Sequence, residues 1–188
     1  MIFCIALEKE FEDKIMETMG TIGILLHQDF KNSDLLESIN KILRIFGYNK
    51  EIFYIYDEIG NEKEIKLESY ILDKDFSEDY EIINCDKNGV SISIFKFDKS
   101  LAFELYINLP YIGNDIQEND YIYKKIIETV QSMDNLEYGF LDFDGNIEKS
   151  KEKLLEELSN NFHSYYITIF KDKIIKADYD FWGLPENE

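Results

Sequence analysis

Between residues 51 and 109, apolar and polar side chains alternate with a period close to two, and this stretch organises the rest of the chain. Ile52-Phe53-Tyr54-Ile55-Tyr56 is β-branched and aromatic throughout, a composition that suits a pleated, half-buried surface. Gly60-Asn61 follows as a turn signal, because both residues tolerate positive φ. Ile65 and Leu67 alternate with Glu64, Lys66 and Glu68, which predicts a strand with one wet face, and the run continues through Ser69-Tyr70-Ile71-Leu72. A second hairpin is expected from residues 80–85 and 90–97, joined by Asp86-Lys87-Asn88-Gly89. There Val90, Ile92 and Ile94 share the core face while Ser91 and Ser93 point away. The parity breaks at Phe95-Lys96-Phe97, which implies a bulge or a second packed face. Asp98-Lys99-Ser100 turns into residues 101–107, and Pro110 ends that strand because proline cannot donate to a ladder. The stretch thus predicts about five antiparallel strands.

Helical spacing flanks this centre. Leu35, Leu36, Ile39, Ile42, Leu43 and Phe46 form one apolar face over residues 34–46, with Asn32-Ser33 as cap and Gly47 as stop. Earlier, residues 2–7 read as a strand, and Phe11, Ile15, Met16 and Met19 predict a helix over 8–19. Gly20-Thr21-Ile22-Gly23 reads as a break, and Ile24-Leu25-Leu26 reads equally well as a short strand or as more helix. After the centre, Ile122, Ile126, Ile127 and Val130 predict a helix over 121–133, capped by Asn119 or Asp120. Residues 136–143 read as a strand, and Asn146-Ile147-Glu148 opens a charged helix to residue 158 whose apolar side is Leu154, Leu155 and Leu158. Strands over 164–170 and 174–179 close the chain around a turn at Lys171-Asp172-Lys173. The expected architecture is one α+β domain over residues 1–188, a mainly antiparallel sheet with about four helices packed on one side.

Composition narrows the partners more than the fold. Lys and Arg total 20 against 39 Asp and Glu, a net charge of -19, which disfavours nucleic acid and anionic membranes as direct partners. The same charge favours a basic partner protein, because complementary fields speed encounter. Arg44 is the single arginine, so bidentate grips on phosphate are nearly absent. Cys4 and Cys85 stand in apolar strand contexts and read as buried, reduced thiols. No apolar run reaches the ~18 residues of a membrane span, and Met1-Ile2-Phe3-Cys4-Ile5-Ala6-Leu7 lacks the basic start of a leader, so a cytoplasmic protein is expected.

Phe140-Leu141-Asp142-Phe143-Asp144-Gly145-Asn146-Ile147 resembles the first motif of the haloacid-dehalogenase-type phosphatases, an Asp-x-Asp-Gly-Thr run at a strand end. That resemblance implies a nucleophile at Asp142, a general acid/base at Asp144 and Mg²⁺ beside them. It spans eight residues, has Asn146 at the threonine position, and is followed by residues 145–188 alone, where that family needs a further domain with a lysine and an acidic metal loop. His27 and His163 are isolated, and no paired cysteine spacing or glycine-rich phosphate loop occurs, so no metal, cofactor or catalytic residue is assigned.

Acidic runs interleaved with rings offer binding residues instead: Asp73, Asp75, Glu78, Asp79 and Tyr80 in one run, and Asp178, Asp180 and Trp182 in another. In size, charge and lack of assembled catalytic machinery the chain resembles the small acidic immunity and inhibitor proteins of bacterial toxin systems. That resemblance implies a protein that blocks a basic partner, such as a nucleic-acid-processing toxin or, by anti-CRISPR-like occlusion, a CRISPR-type nuclease complex. The alternatives are a carboxylate or metal-dependent hydrolase using Asp142 and Asp144, and a structural subunit without a catalytic role.

Overall fold

The computed structural model describes residues 17–27, 29–48, 52–57, 59–76, 81–85, 90–110, 117–143 and 145–177. They form one nine-stranded antiparallel sheet and four helices, the α+β arrangement expected. The strands are β1 (Glu17–Leu26), β2 (Phe53–Tyr56), β3 (Glu62–Ile65), β4 (Glu81–Cys85), β5 (Ser91–Phe97), β6 (Ser100–Pro110), β7 (Leu136–Asp142), β8 (Ile167–Ile169) and β9 (Ile174–Lys176). The helices are α1 (Asn32–Ile45), α2 (Leu67–Asp73), α3 (Gln117–Gln131) and α4 (Lys151–Ser159). In space the strands run β3-β2-β4-β5-β6-β1-β7-β8-β9.

The first strand corrects the sequence reading most. Residues 17–19 belong to a strand and not to the end of a helix, and Gly20-Thr21-Ile22-Gly23 is the middle of β1 and not a break. β1 is held between β6 and β7, with Ile22 opposite Leu105 on one side and Leu141 on the other. Glycine in a strand interior marks close approach by another group. A Cβ on Gly23 would lie under 3.0 Å from three carbons of the Phe140 ring, and one on Gly139 would meet Val130 of α3.

Residues 67–73 also differ, forming α2 where a strand was expected to continue. Leu67 and Ile71 stand one helical turn apart and are both buried, so the segment packs with a period of four although its polar pattern alternates. α3 starts at Gln117, earlier than its apolar face suggests. α4 starts at Lys151, with the Ser150 hydroxyl accepting from the Lys153 N–H at 3.4 Å, so residues 146–149 are a loop and not its first turn. β8 and β9 are shorter than expected, and the expected strand over 2–7, the helix over 8–16, the turn at 86–89 and Cys4 lie outside the described residues.

The pleat sorts the side chains into two cores. Ile22, Ile24, Ile92, Ile94, Phe103 and Leu105 pack under Leu35, Ile39 and Ile42 of α1, Ile71 of α2, and Ile126 and Val130 of α3. On the opposite face Leu25, Ala102, Tyr138 and Phe140 pack with Leu154 of α4, Ile147, Tyr165 and Phe170. α4 therefore belongs to the other side from α1, α2 and α3, because Leu154 joins the residues of opposite strand parity. Phe95 and Phe97 join this second core, and β5 pairs with β6 in continuous register from Ser91↔Tyr106 to Phe97↔Ser100. The parity change at Phe95 is thus a second packed face and not a bulge.

Candidate protein-binding surface

Among the described residues, the second face of the sheet is covered at the β7–β8 end and open at the β3–β2–β4 end. Alternation on the strands decides what the open end presents. On β3, Glu62 lies opposite Tyr56 and Glu64 opposite Tyr54, while Lys63 points to the other face opposite Ile55. Tyr54 in turn lies opposite Asn84 of β4, so Ile82, two residues earlier, shares the side of Tyr54 and Tyr56. Tyr56 is 55% exposed, Ile82 47% and Ile59, in the adjoining turn, 85%. The Tyr56 hydroxyl donates to Glu62 Oε2 at 3.1 Å.

The same alternation sorts the strand lysines onto one face, which Glu81 of β4, opposite Ile94, shares. The lysines at described strand positions are Lys63, Lys96 and Lys176, and each is paired with a residue of the helix-covered face: Ile55, Leu101 and Ile167. The opposite face carries Glu62 and Glu64 at its open end. A row of polar side chains continues inward from them through Tyr54, Asn84, Ser91, Tyr106 and Thr21 to Asp142. The open end is therefore acidic and aromatic, with aliphatic side chains among the carboxylates.

The turn beside it is built by Asp57. Its Oδ1 accepts from the Ile59 N–H at 3.0 Å and the Asn61 N–H at 2.8 Å, and its Oδ2 accepts from the Asn61 amide at 2.9 Å. These bonds, that of the Asn61 side chain foremost, hold the Asp57 carboxyl below its ordinary value.

Where the polar row meets the covered core, one buried carboxylate organises a loop. Glu104 on β6 is 2% exposed; its Oε1 accepts from the Ile147 N–H at 2.6 Å and its Oε2 from the Tyr106 hydroxyl at 2.8 Å. Burial pushes its carboxyl above the usual range against both hydrogen bonds, and the nearby charge of Glu148 adds to the rise. Two tyrosines fix the same loop: Tyr165 donates to the Asn146 carbonyl at 2.8 Å and Tyr138 to the Lys149 carbonyl at 2.7 Å. Burial is the main cause that pushes the Tyr165 phenol up to about 12. Lys149 then bonds Glu157 and Ser164, each at 2.7 Å. The arrangement pins residues 146–149 against the sheet by a carboxylate and two phenols.

The residues named from sequence fall in several places. Asp73 ends α2, and Asp75 follows it; both are exposed and lie beside lysines, on the side of the sheet that α2 covers. Glu78, Asp79, Tyr80, Asp178, Asp180 and Trp182 lie outside the described residues. Asp142 ends β7, with its Oδ1 accepting from the Phe143 N–H at 2.7 Å; Asp144 lies outside the described residues. Among the described residues no three His, Cys, Asp or Glu side chains gather as a metal site would require, and Cys85 is buried. The surface of Tyr56, Ile82, Glu62 and Glu64 escaped the sequence reading, which followed linear acid density. The available signal was the alternation in Glu62-Lys63-Glu64 facing Tyr54 and Tyr56.

Among the described residues no helix is long and apolar enough to cross a membrane. No family model matches the chain, and no curated protein gives a significant match. Among solved structures the chain is similar to the Pseudomonas aeruginosa T6SS protein PA0821, with 10% sequence identity and a TM-score of 0.42 over 73% of this chain and 48% of that one. The chain thus spans about half the length of that protein.

Proposed function

We propose that this chain is an acidic inhibitor or immunity-type protein that blocks a basic partner through the open β3–β2–β4 end of its sheet. The observation that carries the reading is the sorting of the strand lysines by the pleat: Glu62 and Glu64 share a face with Tyr54, Tyr56 and Ile82, while the lysines at described strand positions take the other. Carboxylates steer a cationic surface in, and rings with an aliphatic neighbour supply the apolar burial that holds it. The net charge of -19 gives the encounter its sign. A partner of matching chemistry presents Lys and Arg that otherwise hold phosphate, as a nuclease toxin or a CRISPR-type nuclease complex does, and the mechanism is occlusion of that groove.

The test is capture from the native host with the wild-type chain and with the Tyr56→Ala/Ile82→Glu variant, at low and high salt. A basic partner that salt releases, that the variant fails to retain, and whose nucleic-acid binding the wild-type chain blocks is the expected result. A partner held equally by the variant, or one that is acidic, overturns the reading.

A further inference from the structure

The pleat delivers the strand lysines to the helix-covered face of the sheet. Lys96 of β5 points to the helix side, where Lys74, just after α2, and Lys99, in the β5–β6 turn, line the same cavity of about 390 Å³. Three cations from three separate elements converge there in a chain with 39 acidic residues against 20 basic ones. Asp75 is the acidic side chain in the lining among the described residues. The cavity at Leu26 and Met133 is opposite in sign, lined by Asp34, Glu37 and Asp134 against Lys41, while the one beside α2 brings Lys66 and Lys74 together with Asp73.

The walls of the cavity are apolar. Phe76 and Leu101 are buried, Phe30 is half-buried, and all three line it. A volume of this size, with an aromatic and aliphatic floor and a few convergent polar groups, is the usual form of a small-molecule site. Lys74 is braced by an ion pair with Glu81 and lies 5.8 Å from the centre of the Tyr70 ring. Lys99 has no carboxylate within ion-pair distance among the described residues, so its charge is available to a ligand. We propose that this cavity binds a small organic anion, a phosphate or carboxylate carried on a flat apolar body, with the body against Phe30 and Phe76 and the anion held by Lys96 and Lys99. An ammonium acts here as a point charge, which accepts phosphate and carboxylate alike. The distant carboxylates do not prevent binding at physiological salt, where the screening length is about 8 Å. This site lies on the opposite side of the sheet from the protein-binding surface and stands independently of it.

The experiment titrates 1-naphthyl phosphate, 1-naphthol and inorganic phosphate into the full chain and follows heat and backbone amide shifts. Saturable binding of one 1-naphthyl phosphate per chain is expected, with shifts centred on Asn32 and Leu101. Lys96→Gln/Lys99→Gln weakens it by about tenfold or more, since charge-assisted hydrogen bonds are lost, while Lys153→Gln on α4 leaves it unchanged. Lys153 is not in the lining of the cavity, and thermal unfolding confirms that each variant remains folded. Absence of saturable binding, binding unchanged in the double variant, or naphthol or phosphate alone binding as tightly overturns the proposal.

Discussion

Gly23 of β1 and Phe140 of β7 stand directly opposite each other, and the Phe140 ring occupies the space where any other residue at position 23 would place its Cβ. The ring is also stacked on Tyr165, with centroids 3.9 Å apart and planes 4° from parallel, so it has little freedom to withdraw. Gly23→Ala should therefore cost about 1–3 kcal/mol through overpacking. Phe140→Leu should relieve part of that cost, so the double variant loses less than the two single losses together. Urea unfolding of the four proteins measures both effects.

Glu104 gives a signed pH dependence. Its carboxyl is raised from 4.5 mainly by burial, so within the window above 4.5 the folded chain holds a proton that the unfolded chain has released. Its contribution to stability accordingly falls as pH rises through that window. Glu104→Gln keeps an acceptor for the Ile147 N–H and removes the titration, so its stability relative to the wild type should improve as pH rises. Glu104→Ala leaves the Ile147 N–H without its carboxylate acceptor and should cost about 1–3 kcal/mol. Thermal unfolding across that range separates the two variants.

The contrast between these sites and the sequence is instructive. α1 was legible to within two residues, because six apolar side chains repeat at helical spacing and Gly47 follows them. β1 was not, because Gly20 and Gly23 look like chain breakers until Phe140 is known to lie over the second of them. α2 was hidden by Ile65 and Leu67, whose alternation runs across the junction between strand and helix. The open surface depends on register: Tyr56 and Ile82 share a face only because of how β2 pairs with β4, and no linear count of acids reveals that. Glu104 lies within the strand expected over 101–107, and nothing near it in the chain signals its burial, because the loop it anchors comes more than forty residues later.

Asp57 should control the turn beside the exposed surface. Its carboxyl is lowered from 3.8, so its contribution to the turn is present above that value and is lost as pH falls through the depressed one. Asp57→Ala removes the acceptor for the Ile59 and Asn61 N–H groups. Hydrogen exchange at those two amides should accelerate while exchange in β1 stays unchanged.

Tyr56→Ala and Ile82→Glu should separate binding from stability. Both side chains are about half exposed, so each substitution should shift unfolding free energy by about 0.5 kcal/mol or less. Capture of the partner should fall sharply with either, and calorimetry of the purified variants checks that the fold is retained.

The position of β1 between β6 and β7 also sets the order of events on the ribosome. Ile22, Ile24 and Leu26 are synthesised before their neighbours on either side, which arrive only with residues 101–110 and 136–142. Vectorial synthesis therefore leaves a sticky hydrophobic segment waiting until β6 and β7 have been made, and contacts of such long sequence separation make closure slow. Nascent chains halted before residue 136 lack one flank of that segment and should engage chaperones, which makes the interval before β7 emerges the stage at which this protein is most prone to aggregate.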